Sequence, residues 1–167
     1  VSAPATHEKL LELCTGNTAA VAFVEGFWSL MVVWDDAIDR DRPVDREAIN
    51  EAILWALFDL QDNPFFRANR LVLRGAMHQA LATWLLSLDY ERSGDPALIE
   101  QAYWMRYSSI GVFATAALLT GGREKQTQAI DYFCALARGD DKLPEYLIEH
   151  LGEHHGLAQF PQATETA

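Results

Sequence analysis

Basic side chains are scarce in this chain. Thirteen lysines and arginines stand against 24 aspartates and glutamates, a formal net charge of -11. Nucleic-acid backbones are bound through clustered cations, so that class of partner is not expected. Docking on an anionic membrane surface is disfavoured for the same reason. Cysteine is nearly absent too. Cys14 and Cys134 both lie in apolar, helix-like segments with no CxxC pair, so reduced core thiols are expected rather than a disulfide framework. No glycine-rich phosphate loop, GxSxG elbow or HExxH helix occurs. No uninterrupted apolar run reaches the roughly 18 residues of a membrane span. The closest approach, Ala19 to Trp34, is broken by Glu25 and Ser29. The opening residues, Val1 to Pro4, show no basic-then-apolar leader pattern, and a reducing cytoplasm is the expected location.

What the chain does have is apolar content and helix punctuation. Half of its 167 residues are hydrophobic, which suits one domain around one core. His7 to Cys14 reads as a short helix stopped by Gly16-Asn17. Thr18 is placed to cap a long, almost wholly apolar helix over 19–39. Asp45 caps a third helix over 46–60, with Ile49, Ile53, Ala56, Leu57 and Leu60 on one stripe. Asp62-Asn63-Pro64 turns the chain into a helix over 65–90, with a possible break at Gly75 and a core histidine at His78. Asp95 and Pro96 start a fifth helix reaching Leu119, whose second half is rich in small residues (Ser108, Ser109, Gly111, Ala114, Ala116, Ala117). Gly121-Gly122 ends it, and helices over 124–137 and 144–151 come next. Residues 1–6 and 157–167 read as loose ends. No strand-like alternation is present, and the connections are short. The expected fold is an all-α, single-domain, up-and-down bundle of about six or seven helices.

The motif that stands out is Asp35-Asp36-Ala37-Ile38-Asp39. Steps of three and four residues put Asp35, Asp36 and Asp39 on neighbouring positions of one helix face. They sit at the negative end of the helix dipole, where acids are unfavourable. A bound Mg²⁺ or Mn²⁺ would offset that repulsion. Arg40, Arg42 or Arg46 would do so instead if the cluster is only a solvated helix end. Glu25 lies close to three turns before Asp36 on the same face and needs a partner of its own.

Antiparallel steps place the C-terminal ends of the second and fourth helices together. That brings Asp89 and Glu91 towards the aspartates as further metal ligands. The fifth helix starts at the same end, so Tyr103, Arg106 and Tyr107 are candidate contacts to an anion held by the metal. Trp34 and Trp104 are candidates to line a pocket there. His150, His154 and His155 contain a spacing usable for zinc, but their glycine-flanked terminal position points to a solvated segment.

The run Trp34-Asp35-Asp36-Ala37-Ile38-Asp39 resembles the DDxxD motif of class I isoprenoid and terpene synthases. That resemblance implies that Asp35, Asp36 and Asp39 hold Mg²⁺, which in turn holds a substrate diphosphate. The second metal motif of those enzymes is not found, since Asp140-Asp141 is followed by Lys142-Leu143-Pro144-Glu145. A longer likeness joins Leu13-Cys14-Thr15-Gly16-Asn17, the aspartate cluster and Asn63-Pro64-Phe65-Phe66. It resembles small uncharacterised helical proteins of bacteriophages and their hosts, and implies no particular activity.

The sequence supports two readings. In one, the chain binds a divalent cation and acts on or senses a small phosphorylated or diphosphate-containing molecule. In the other, it is a non-enzymatic, phage-associated interaction or structural protein, with self-association through the small-residue helix as one route. The sequence leaves open whether the chain is an enzyme.

Overall fold

A computed structural model describes residues 6–39, 43–139 and 142–155; the side chains of Asp39 and of residues 138–139 and 153–155 lie outside that description. The described chain is 89% helical, with about seven helices and no strand. The all-α expectation therefore holds among the described residues.

Helix α1 (His7–Leu13) begins where the Thr6 side chain accepts from the Lys9 amide. It stops where Thr15 and Gly16 adopt left-handed backbone, with φ of 52° and 75°. The Thr15 hydroxyl donates to the Thr120 carbonyl at 3.0 Å and pins this turn to a distant helix. Helix α2 (Thr18–Asp39) is capped by Asn17, not Thr18: Asn17 Oδ1 accepts from the Ala20 amide at 3.0 Å.

Helix α3 (Arg46–Leu54) is capped by Asp45 as expected. It continues through a π-helical turn, Trp55–Asp59, into the short α4 (Leu60–Asp62). The expected stripe is split by that turn. Leu60 is buried, but Ile53 and Leu57 are 50% and 61% exposed. A π turn inserts an extra residue per turn and rotates the helix beyond it, so a pattern counted at constant period loses its face.

Asn63 caps α5 (Pro64–Ala68) and also donates to the Ala19 carbonyl at 2.9 Å, joining two helices through one amide. Helix α6 (Arg70–Glu91) is continuous through Gly75; the break falls at Asn69 instead. His78, expected in the core, is exposed on its outer side. Helix α7 (Pro96–Met105) leads through a 3-10 turn, Arg106–Ser109, into α8 (Ile110–Gly139). The Gly121-Gly122 stop is a sharp kink inside α8, with φ of 73° at Gly122. Helix α9 (Leu143–His155) closes the described chain.

The main core joins Phe23 and Phe27 of α2, Trp84 of α6, and Phe113, Ala116 and Ala117 of α8. The small residues of α8 thus let helices approach inside the bundle. Ala114, Ala116 and Ala117 are buried, whereas Gly111 is exposed. By length and composition alone, α2 from Thr18 to Ile38 is long and apolar enough to cross a membrane, a property shared by core helices, although no uninterrupted apolar run spans it. Isolated Glu25 and Ser29 interrupt a run without making the helix polar.

Close approach of α2 and α3 depends on Gly26. A Cβ there would lie 2.0 Å from Trp55 Nε1. Gly26→Ala is expected to lose about 1–3 kcal/mol of stability despite its better helix propensity. Urea unfolding followed by tryptophan fluorescence checks this, and unchanged stability would show that the indole can relocate freely. Burial also pushes the Cys14 thiol up to about 11, so its reactive thiolate is suppressed near neutral pH. A native thiol assay is expected to label half-buried Cys134 and to reach Cys14 only after unfolding.

Candidate functional site

The structure brings together Asp35, Glu91 and Arg106, three residues from three segments. Asp35 lies in the last turns of α2. Glu91 is the last residue of α6, and Arg106 opens the 3-10 turn after α7. Asp95 and Pro96 start α7 immediately after the tight turn at Gly94, so α7 folds back along α6. Arg106 then lies alongside α6, between the levels of Trp84 and Glu91. Its Nη2 donates to Asp35 Oδ1 at 2.7 Å, and its Nη1 faces Glu91 Oε1 at 3.4 Å. Trp84 Nε1 donates to the same Asp35 oxygen at 3.0 Å. One guanidinium therefore bridges two carboxylates.

The fourth member comes from α9. The Tyr146 hydroxyl donates to Glu91 Oε1, and its ring lies 5.9 Å from the Arg106 guanidinium carbon. Glu91 and Tyr146 are both buried. Burial comes first in raising the Tyr146 phenol far above its ordinary range, and the Glu91 carboxylate that accepts its proton adds to the shift. Around this node Ile99, Tyr103 and Tyr146 form a second small core, with Tyr107, Leu143, Leu147 and Leu151 packed against it. The Tyr103 hydroxyl accepts from the Lys142 amide at 3.0 Å and fixes the start of α9.

Several expected site residues lie elsewhere. Glu25 pairs with His7 of α1 at 2.7 Å, ten residues before Asp35 and so about 15 Å along the helix. Asp89 is exposed, on the outer side of α6. Asp36 is half-buried. The Asp39 side chain, Arg40 and Arg42 lie outside the described residues, and Arg46 is exposed. Trp34 meets Trp84 edge-on at 6.0 Å, whereas Trp104 is 46% exposed and packs on Tyr103. Tyr103 and Tyr107 seat α9, through a ring contact at 5.2 Å between Tyr103 and Tyr146. His150 packs edge-on against Tyr146, while the side chains of His154 and His155 lie outside the described residues. Among the described residues, no group of three or more His, Cys, Asp or Glu side chains is placed to hold a metal ion.

Sequence reasoning missed Trp84 and Tyr146. Trp84 reads as one more core aromatic. The available signal for α9 was the helical spacing of Leu143, Tyr146, Leu147 and Leu151, which marks a helix with a face to bury.

Arg106→Met leaves two partly buried carboxylates facing each other without a cation. It is expected to cost about 2–4 kcal/mol in urea unfolding, with Arg106→Lys recovering only part. A phenol whose pKa is raised by folding contributes stability that is present below its unfolded value, about 10, and lost as pH rises above it. Stability is therefore expected to fall above about pH 10, and Tyr146→Phe to flatten that fall while losing about 1 kcal/mol at neutral pH. An alkaline slope identical in the two proteins would remove Tyr146 as its source. Compared with known protein families, curated proteins and solved structures, the chain matches none.

Proposed function

We propose that this chain is a non-enzymatic helical interaction protein in which Asp35 of the acidic cluster holds the fold together. The observation that carries this reading is the engagement of Asp35. One of its oxygens already accepts from both Arg106 and Trp84. A hard divalent cation needs carboxylate oxygens turned towards it, and drawing Asp35 out would break its pairing with Arg106 and take the acceptor from the Trp84 indole N–H. The outer surface supports the interaction half of the reading. Along α3 and the π turn, Ile53, Leu54, Leu57 and Phe58 are each at least half exposed. Apolar side chains grouped on a surface are characteristic of protein-binding faces.

The competing reading is a Mg²⁺ or Mn²⁺ site on Asp35, Asp36 and Asp39 that presents a small phosphorylated or diphosphate ligand. Calorimetric titration with Mg²⁺ and Mn²⁺, alone and with inorganic pyrophosphate, separates the two. The expected result is no saturable heat, together with a drop in melting temperature for Asp35→Asn that is the same with and without the cation. Saturable binding that stabilises the wild type and is lost in Asp36→Ala would restore the cation site and overturn the proposal. Nile red binding by the native protein, reduced in the Leu57→Glu/Phe58→Glu double variant, is expected for an exposed apolar face. Native protein that leaves the dye dark counts against the interaction role.

A further inference from the structure

Helix α6 is apolar on two opposite sides. Its inner side puts Leu73, Ala80, Trp84 and Leu88 into the core. Its outer side carries a second pattern. Leu71, Gly75, His78, Ala82, Leu85 and Asp89 recur at alternating steps of four and three residues, and all are exposed. Leu71 is 89% exposed and Leu85 46%. Alternating steps of this kind keep one seam of a helix facing a second helix along its whole length. Val72 and Leu86, 52% and 43% exposed, run beside the seam on one edge. A helix that had only the bundle core to cover would carry charged residues on this side.

We propose that the outer face of α6 is a self-association surface, on which α6 of a second copy of this chain packs antiparallel. Size complementarity selects the second copy. In an antiparallel seam Leu85 of one chain lies opposite Gly75 of the other, and His78 opposite Ala82, so these two large side chains each meet a small one, while Leu71 and Asp89 face each other at the two ends. The space is there: nothing lies within 4 Å of a Cβ built at Gly75. Val72 falls beside Leu86 along the edge. Charge selects the direction. Exposed Arg70 and Arg74 stand at the N-terminal end of the seam, and exposed Asp89 stands at its C-terminal end. Antiparallel packing sets the arginines of each chain beside Asp89 of the other. A parallel pair would put like charges together and set Gly75 against Gly75, leaving a gap. The helix, 22 residues long, offers a seam of about 33 Å, which fits the small end of specific interfaces and a concentration-dependent dimer. This surface is remote in kind from the acidic node, so the metal titration and the association test can fail separately.

Sedimentation velocity on the full chain over a wide concentration range tests the proposal. A reversible monomer–dimer equilibrium is expected. Leu85→Glu and Ala82→Glu, both at exposed positions, are each expected to weaken it roughly tenfold or more with unchanged circular dichroism. Asp89→Arg is expected to weaken the dimer, and adding Arg70→Asp and Arg74→Asp to restore it. Restoration reports the antiparallel direction, which a general change in solubility would not reproduce. A strict monomer at every concentration overturns the proposal and leaves the face to residues 156–167 or to a different protein. So does a dimer indifferent to both glutamate variants. Failure of the charge swap to restore a dimer that Asp89→Arg has weakened overturns the antiparallel arrangement.

Discussion

The bridge made by the Arg106 guanidinium between Asp35 and Glu91 is the interaction on which the rest of this structure depends. It gathers the ends of α2 and α6 and the start of the 3-10 turn at one point. Glu91 is buried, and a buried carboxylate is tolerable only when paired and hydrogen-bonded. Arg106 supplies the pairing and Tyr146 the second hydrogen bond. Because Tyr146 belongs to α9, satisfying Glu91 also fixes where the last helix lies. The Tyr103 hydroxyl on the Lys142 amide then sets the start of that helix. Charge satisfaction at one residue thus decides the packing of an entire element.

The aspartate cluster takes a different meaning in this setting. Its position at a helix end is electrostatically unfavourable, and the chain offsets that cost for Asp35 with a cation from elsewhere in the fold and an indole N–H. The same arrangement that makes a carboxylate useful for metal binding, namely an oxygen held rigidly in a partly buried place, also serves as a structural anchor. What separates the two uses is which groups face the oxygen, and those that face Asp35 Oδ1 include two donors, Arg106 and Trp84.

Much of the framework is legible in the sequence because it is written locally. Asp45, Asp95 with Pro96, and the glycine pair at 121–122 act on their immediate neighbours, and each acts where the pattern places it. That Asp35, Glu91 and Arg106 share one end of the bundle was legible, since short connections force antiparallel neighbours, but not that Arg106, rather than Arg40, Arg42 or Arg46, pairs with Asp35. The illegible parts depend on contacts between distant segments. Thr15 takes a left-handed turn position that glycine or asparagine would be expected to hold, tied down by Thr120. The π turn at Trp55–Asp59 shifts the period of its helix, so Leu57 points outward and Leu60 inward where a constant period would put both on one face. His78 sits in an apolar sequence because both sides of α6 are apolar, so composition alone could not show which side faced the core. Glu25 finds its partner in His7, from an N-terminal helix that folds back along α2.

The sequence separations within the Arg106 node bear on how the chain reaches its folded state. Asp35 and Arg106 are 71 residues apart, and Glu91 and Tyr146 are 55. Closing loops of that length costs entropy before the contacts reward it. The helices can form and α6 can zip to α7 through near neighbours while the node is still open. During synthesis α9 is the last described element to emerge, so Glu91 waits without its tyrosine until then. Folding of this bundle is therefore expected to finish at its C-terminal end, with a nascent chain that is helical early and locked late.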